Sequence, residues 1–113
     1  SQKVMEAFLV KYDDIDGVYS GDDNMGVGAL NAAKAAGRDG IIFVGATNFS
    51  VGYEAMEAGD YWGSIYQSPV DDAKNALATA KAVVEGKDVP FLNYFDTPKI
   101  TQDNMDEFTK PVF

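Results

Sequence analysis

Three times in this chain an apolar run ends in polar residues and gives way at once to a helix-forming segment. The stretches are GVYSGDDNMGVGALN from Gly17 to Asn31, IIFVGATN from Ile41 to Asn48, and GSIYQSP from Gly63 to Pro69. Strand, polar turn and helix in alternation predict an α/β fold with a mainly parallel sheet and right-handed crossovers. In such sheets ligands bind beyond the carboxyl ends of the strands. Asp22, Thr47 with Asn48, and Gln67 therefore stand at three strand tips that can face one crevice.

The flanking pattern fills in the order. Val4, Met5, Phe8, Leu9 and Tyr12 recur at three- and four-residue intervals, which predicts a helix over residues 3–12. Asp13, Asp14, Asp16 and Gly17 end it, and Ile15, Val18 and Tyr19 open a strand that stops near Ser20. A helix over about residues 25–36 turns Met25, Leu30 and Ala33 inward and stops at Gly37. The continuous run 41–44 reads as a strand covered on both faces. A third helix follows Ser50, with Val51, Ala55 and Met56 inward and Gly59 at its end, and a third strand leads from Ser64 to Gln67.

Ser68, Pro69 and Asp71 supply an N-cap, a first-turn proline and an early carboxylate for a helix running to Gly86. Beyond Pro90, FLNYF reads as a fourth strand, and Thr101 as the cap of a short final helix holding Met105 and Phe108. The expected order is α-β-α-β-α-β-α-β-α, a three-layer sandwich in outline. Its opening helix has no strand before it, whereas doubly wound domains usually start with one, so the expectation is a piece of a larger fold.

Composition narrows the chemistry. A length of 113 residues allows one domain. Eighteen acidic against nine basic residues give a net charge of −9, which repels phosphate backbones and argues against a nucleic-acid partner and against anionic membranes. Cysteine and histidine are absent, which removes thiolate nucleophiles, sulfur-rich zinc sites and the commonest general base. No apolar run approaches the ~20 residues of a membrane span. A leader, where the protein has one, lies outside these residues.

Gly26, Gly28 and Asn31 form G-x-G-x-x-N, which lacks the third glycine of a dinucleotide fingerprint and follows two carboxylates that repel a pyrophosphate. These glycines fit close packing of a helix on the sheet. The acidic turn at Asp13, Asp14 and Asp16 lacks the spacing of a calcium loop. No cofactor is expected.

The strand tips each carry two readings. Asp22 and Asp23 either serve only to cap the following helix, or divide the work, one capping while the other accepts hydrogen bonds from ligand hydroxyls. Thr47 and Asn48 are good turn residues and also good hydroxyl partners. Gln67 offers one acceptor and two donors in a fixed place, which suits adjacent hydroxyls. Tyr19 is a stacking candidate for a sugar face. Tyr61 and Trp62 read as core or edge packing.

Taken together, SGDDNMGVGALNAAKAAG, IIFVGATN, AMEAGDYWGSIYQSP, AKAVVEGKDVP and FDTPKITQDNMDEF resemble the C-terminal lobe of a type I periplasmic sugar-binding protein, close to the ribose-binding branch. The resemblance implies two α/β lobes that close on a small sugar or polyol and present it to a membrane ABC transporter permease, in the periplasm and without catalysis. It places Asp22 where the family often has asparagine, Gln67 at a lobe crossing, and Thr47 where ribose binders usually have aspartate. It implies a missing N-terminal lobe, against which the helix over residues 69–86 would pack. Without that lobe, the face of Ala73, Leu77, Ala80 and Val84 invites self-association. The effector domain of a lac-repressor-type transcription regulator shares the fold and is the alternative. The tail NYFDTPKITQDNMDEF favours a transport receptor.

Overall fold

In the computed structural model, residues 1–94 and 96–113 are described. The elements are α1 (Gln2–Lys11), β1 (Gly17–Tyr19), α2 (Asp23–Ala35), β2 (Ile42–Val44), α3 (Ser50–Glu57), β3 (Gly63–Ile65), α4 (Pro69–Val84), β4 (Lys99–Thr101) and a 3-10 turn at Met105–Glu107. The sheet order is β1-β2-β3-β4, with β1, β2 and β3 parallel and β4 antiparallel to β3. Since the parallel strands adjoin in chain order, right-handed crossovers place α2 and α3 on one face. There α2 packs on β1 and β2, α3 on β3, and α1 on α2.

Side-chain alternation decides what that face buries. Val18 and Phe43 are paired in register. Phe43 is buried with Met5, Leu30, Tyr53, Met56, Tyr61 and Ile100 in one cluster, against which Val18 packs. Tyr19 and Ile42 point to the opposite face, where they are 74% and 55% exposed. The run 41–44 is thus covered on one side, not on both as its continuous apolarity implies. Helix and sheet, two layers of the expected three, are formed by the described residues.

Helix ends follow the residues that specify them. After α2, Gly37 adopts φ +63°, and the Arg38 N–H donates to the Ala33 carbonyl, so the left-handed glycine closes the last turn. The Arg38 guanidinium donates to the carbonyls of Leu9, Tyr12 and Asp13 and ties the end of α1 to the end of α2. At α4 the Ser68 hydroxyl accepts from Asp71 N at 3.2 Å, behind Pro69 in the first turn.

Two expectations fail at the carboxyl end. Residues 91–94 of FLNYF form no strand. Phe91, Leu92 and Tyr94 are 101%, 61% and 82% exposed, Asn93 Nδ2 donates to Thr79 Oγ1 of α4 at 2.6 Å, and Phe95 lies outside the described residues. The strand is Lys99–Thr101, whose Ile100 is fully buried beside β3. Burial against the sheet outweighs the apolarity of an aromatic run that has no surface to cover. The final helix is a single 3-10 turn, and Thr101 ends a strand, its N–H donating to Asn104 Oδ1 at 2.8 Å.

Helix α4 buries none of its residues. Val70, Leu77 and Val84 are 59%, 72% and 87% exposed.

Candidate functional site

Parallel order in space puts the turns after β1, β2 and β3 side by side, about 4.8 Å per strand step. Asp22, Thr47 with Asn48, and Gln67 therefore share one edge of the sheet. Their side chains play different parts.

Asp22 is the N-cap of α2, extended at φ −150°, with Oδ1 accepting from Met25 N at 2.8 Å. It is half-buried, and among the described residues its second oxygen makes no hydrogen bond. Capping and an open acceptor thus meet in one carboxylate rather than being divided between the pair.

Asp23 turns inward and is 0% exposed. Its Oδ2 accepts from Phe49 N at 2.9 Å, and both oxygens lie within 2.9 Å of Ser64 Oγ. Tyr61 OH stands 3.5 Å from Oδ1 and 3.3 Å from Ser20 Oγ. Burial pushes the Asp23 carboxyl above the usual carboxylate range, against the opposing bonds from Ser64 and Phe49, and the Asp22 charge adds to the rise. Burial likewise pushes the Tyr61 phenol up to about 12, so it remains a neutral hydroxyl. Asp23 binds the turns after β1 and β2 to β3, and as a direct ligand contact it is corrected: it is fully buried and both of its oxygens are already engaged by Ser64, Phe49 and Tyr61.

The network fits because its neighbours are small. A Cβ on Gly52 would stand 2.6 Å from Asp23 Cβ, and one on Gly45 would stand 2.6 Å from Asp23 Oδ1. On Gly26 a Cβ would meet the Tyr61 hydroxyl and Ser20 Oγ. Gly26 thus serves the close helix packing that G-x-G-x-x-N implies.

Thr47 and Asn48 both take left-handed backbone, at φ 89° and 51°. Asn48 is 1% exposed, and its N–H donates to Ser64 Oγ at 3.2 Å. Thr47 Oγ1 and Asn48 Oδ1 are buried without a hydrogen-bond partner among the described residues. Buried polar atoms without partners cost about 1–3 kcal/mol each, and such positions concentrate at functional sites. Asn48 also lines a cleft of about 320 Å³ with Tyr66, Ser68 and the segment 109–113.

Gln67 is exposed one position before the Ser68 cap. It stands outside the Asp23 network but at the same sheet edge. Tyr19 is exposed on the open face of the sheet. Tyr61 is core, whereas Trp62 is 57% exposed. Ser20, Tyr61 and Ser64 are network members that the reading of strand tips passes over. A serine inside a parallel strand was the available signal, since buried hydroxyls need partners. Among the described residues no cluster of three histidine, cysteine, aspartate or glutamate side chains could hold a metal ion.

The sequence and the fold are similar to those of known proteins. Residues 1–88 match the family described as periplasmic binding protein domain. The chain is 41% identical over 92 residues to the xylitol-binding protein of Mycolicibacterium smegmatis, which covers 81% of this chain and 26% of that protein. It is 30% identical over 86 residues to the ribose import binding protein of Escherichia coli, covering 76% and 29% respectively. It superposes with a TM-score of 0.80 and 28% identity on the periplasmic binding protein component of the arabinose ABC transporter from Shewanella sp. ANA-3, bound to α- and β-L-arabinofuranose, over 94% of this chain and 37% of that one. The chain thus spans roughly a quarter to a third of the length of these relatives. With the family pattern matched over residues 1–88 and three parallel strands ending in one polar edge, this chain belongs to the periplasmic binding protein family.

Proposed function

We propose that this chain forms the ligand-facing edge of one lobe of a non-enzymatic periplasmic receptor, which binds a small sugar or polyol and delivers it to a membrane ABC transporter permease. The observation that carries the reading is the set of three adjacent parallel strand tips bearing Asp22, the Thr47–Asn48 turn and Gln67. An acceptor-only carboxylate, a hydroxyl and two amides suit a ligand made of adjacent hydroxyls. The names of the relatives, a xylitol-binding protein and a ribose import binding protein, favour the same ligand class.

In this reading Asp22 accepts from ligand hydroxyls through its open oxygen, Gln67 donates and accepts, and Thr47 with Asn48 completes the rim. Asp23 holds the rim in place from beneath. Helix α4, bare of partners on its apolar side, packs on a second lobe. Ligand bridging the lobes shifts an open-to-closed equilibrium about the crossings between them.

Thermal unfolding of the full-length protein against xylitol, D-ribose, L-arabinose and a wider set of pentoses, hexoses and polyols tests the proposal. A ligand at ~1,000 times its dissociation constant adds ~4 kcal/mol of stability, a shift of several degrees. One clear shift identifies the ligand class. Silence across the whole panel contradicts a sugar or polyol receptor.

A further inference from the structure

Helix α3 begins without a cap of its own. Its N-cap residue is Phe49, which has no side-chain acceptor, and its first turn carries no carboxylate. Two distant segments supply what is missing: Asp23 accepts from Phe49 N at 2.9 Å, and the backbone oxygen of Phe113 accepts from Ser50 N at 2.8 Å. The turn just before this helix is Thr47–Asn48, left-handed at both residues and with two buried side-chain oxygens lacking partners. Such a turn persists only when its surroundings over-determine it.

The segment that brings Phe113 there is anchored at several points. Lys110 Nζ lies 2.7 Å from Glu57 Oε2 near the end of α3, and 5.6 Å above the Tyr53 ring. Pro111 is buried, and the Phe113 ring meets Phe49 edge-on at 6.1 Å between centroids. Residues 110–113 thus run beside α3 from its last turn to its first and form one wall of the cleft that Asn48 lines.

We infer that residues 110–113 are a strap that positions the Thr47–Asn48 turn for ligand. By fixing the first N–H of α3, the strap helps hold the turn in a conformation in which Thr47 Oγ1 and Asn48 Oδ1 have no hydrogen-bond partner among the described residues and are poised for one on a ligand. Pro111, Phe113 and Lys110 are positioning residues acting through the turn. The inference rests on the receptor reading above and adds to it an element outside the strand tips.

The test compares the full-length protein with a Pro111→Gly/Phe113→Ala variant, reading amide hydrogen exchange at Asn48, Phe49 and Ser50 together with calorimetric affinity for xylitol, D-ribose and L-arabinose. The expected result is exchange at Ser50 about tenfold faster, affinity for the bound probe at least about fivefold weaker, and unchanged exchange in the β1–β2 ladder. Phe113→Tyr, which keeps the ring edge, should restore both. Unchanged exchange at Ser50, or faster exchange with full affinity, overturns the strap while leaving the receptor reading intact. Failure of every probe to bind the unaltered protein overturns the receptor reading and the strap's ligand role with it. Should the double variant fail to fold, Lys110→Met, which removes the ion pair with Glu57, is read by the same criteria.

Discussion

Adjacent aspartates at a helix start look interchangeable, yet Asp22 and Asp23 end in opposite environments. Both suit an N-terminus by charge, and either could be the N-cap. One residue of difference in where α2 begins turns one carboxylate outward and the other fully inward. Burial raises the Asp23 carboxyl in the folded state, so the folded protein holds that proton more tightly than the unfolded chain. The stability gained from protonation is therefore complete below the ordinary carboxylate range and is lost as pH rises through the raised value. Asp22, Tyr61, Ser64 and Ser20 face the same cluster, and replacing Asp23 alone isolates its part. In urea unfolding between about pH 3 and pH 8, the stability advantage of the unaltered chain over Asp23→Asn should shrink as pH rises. An advantage that is constant or grows would contradict the buried carboxylate. That a carboxylate of the pair caps α2 was legible in the sequence, but not that Asp22 is the one. The inward Asp23 was not, because it depends on space left by Gly26, Gly45 and Gly52 from three separate segments.

Among the elements, the parallel strands and the first four helices follow local signals closely, since glycine stops and caps act within one turn. Their lengths and faces depend on neighbours, which is why Val4, Phe8 and Met25 stay partly exposed although their spacing marks an apolar face. FLNYF misleads for the same reason in reverse, being apolar without a sheet edge to join, whereas the less apolar Lys99–Thr101 has one. Helix α4 offers a clean check on a local signal because tertiary burial does not mask it. Ser68→Ala should remove about 1 kcal/mol at its N-terminus, seen as roughly fivefold faster exchange of the Asp71 amide. No change in that exchange would mean that Pro69 and the early carboxylates suffice without the hydroxyl.

On the scale of the molecule, the chain extends 58 × 29 × 20 Å, with a radius of gyration of 17.5 Å. A compact domain of this length has about 13 Å, and the excess fits a helix that buries none of its residues against the other described residues. The same helix carries Val70, Ala73, Leu77, Ala80 and Val84 at alternating three- and four-residue spacing, the period of a helix–helix seam. Produced alone, residues 1–113 should therefore self-associate through α4. Light scattering should give a mass above the monomer that rises with concentration, and a monomer at high concentration would contradict it. That α4 buries none of its residues was expected from the order of the motifs, which resembles that of a lobe packing this helix on a second one, and not from the helix's own pattern.

If the strand tips meet a hydroxylated ligand, the open oxygen of Asp22 carries part of the binding. In full-length protein the residue is replaced by alanine, which removes cap and acceptor, and by asparagine, which preserves the cap. Binding of the sugar or polyol identified by thermal shift is then measured by calorimetry. A hydrogen bond to a charged group contributes about 1.5–3 kcal/mol, so affinity should fall about tenfold or more in Asp22→Ala. Asp22→Asn should fold as the unaltered protein does and retain part of the affinity. Equal affinity in all three proteins would mean that the open carboxylate of Asp22 plays no part in binding, and would contradict a ligand at the strand tips.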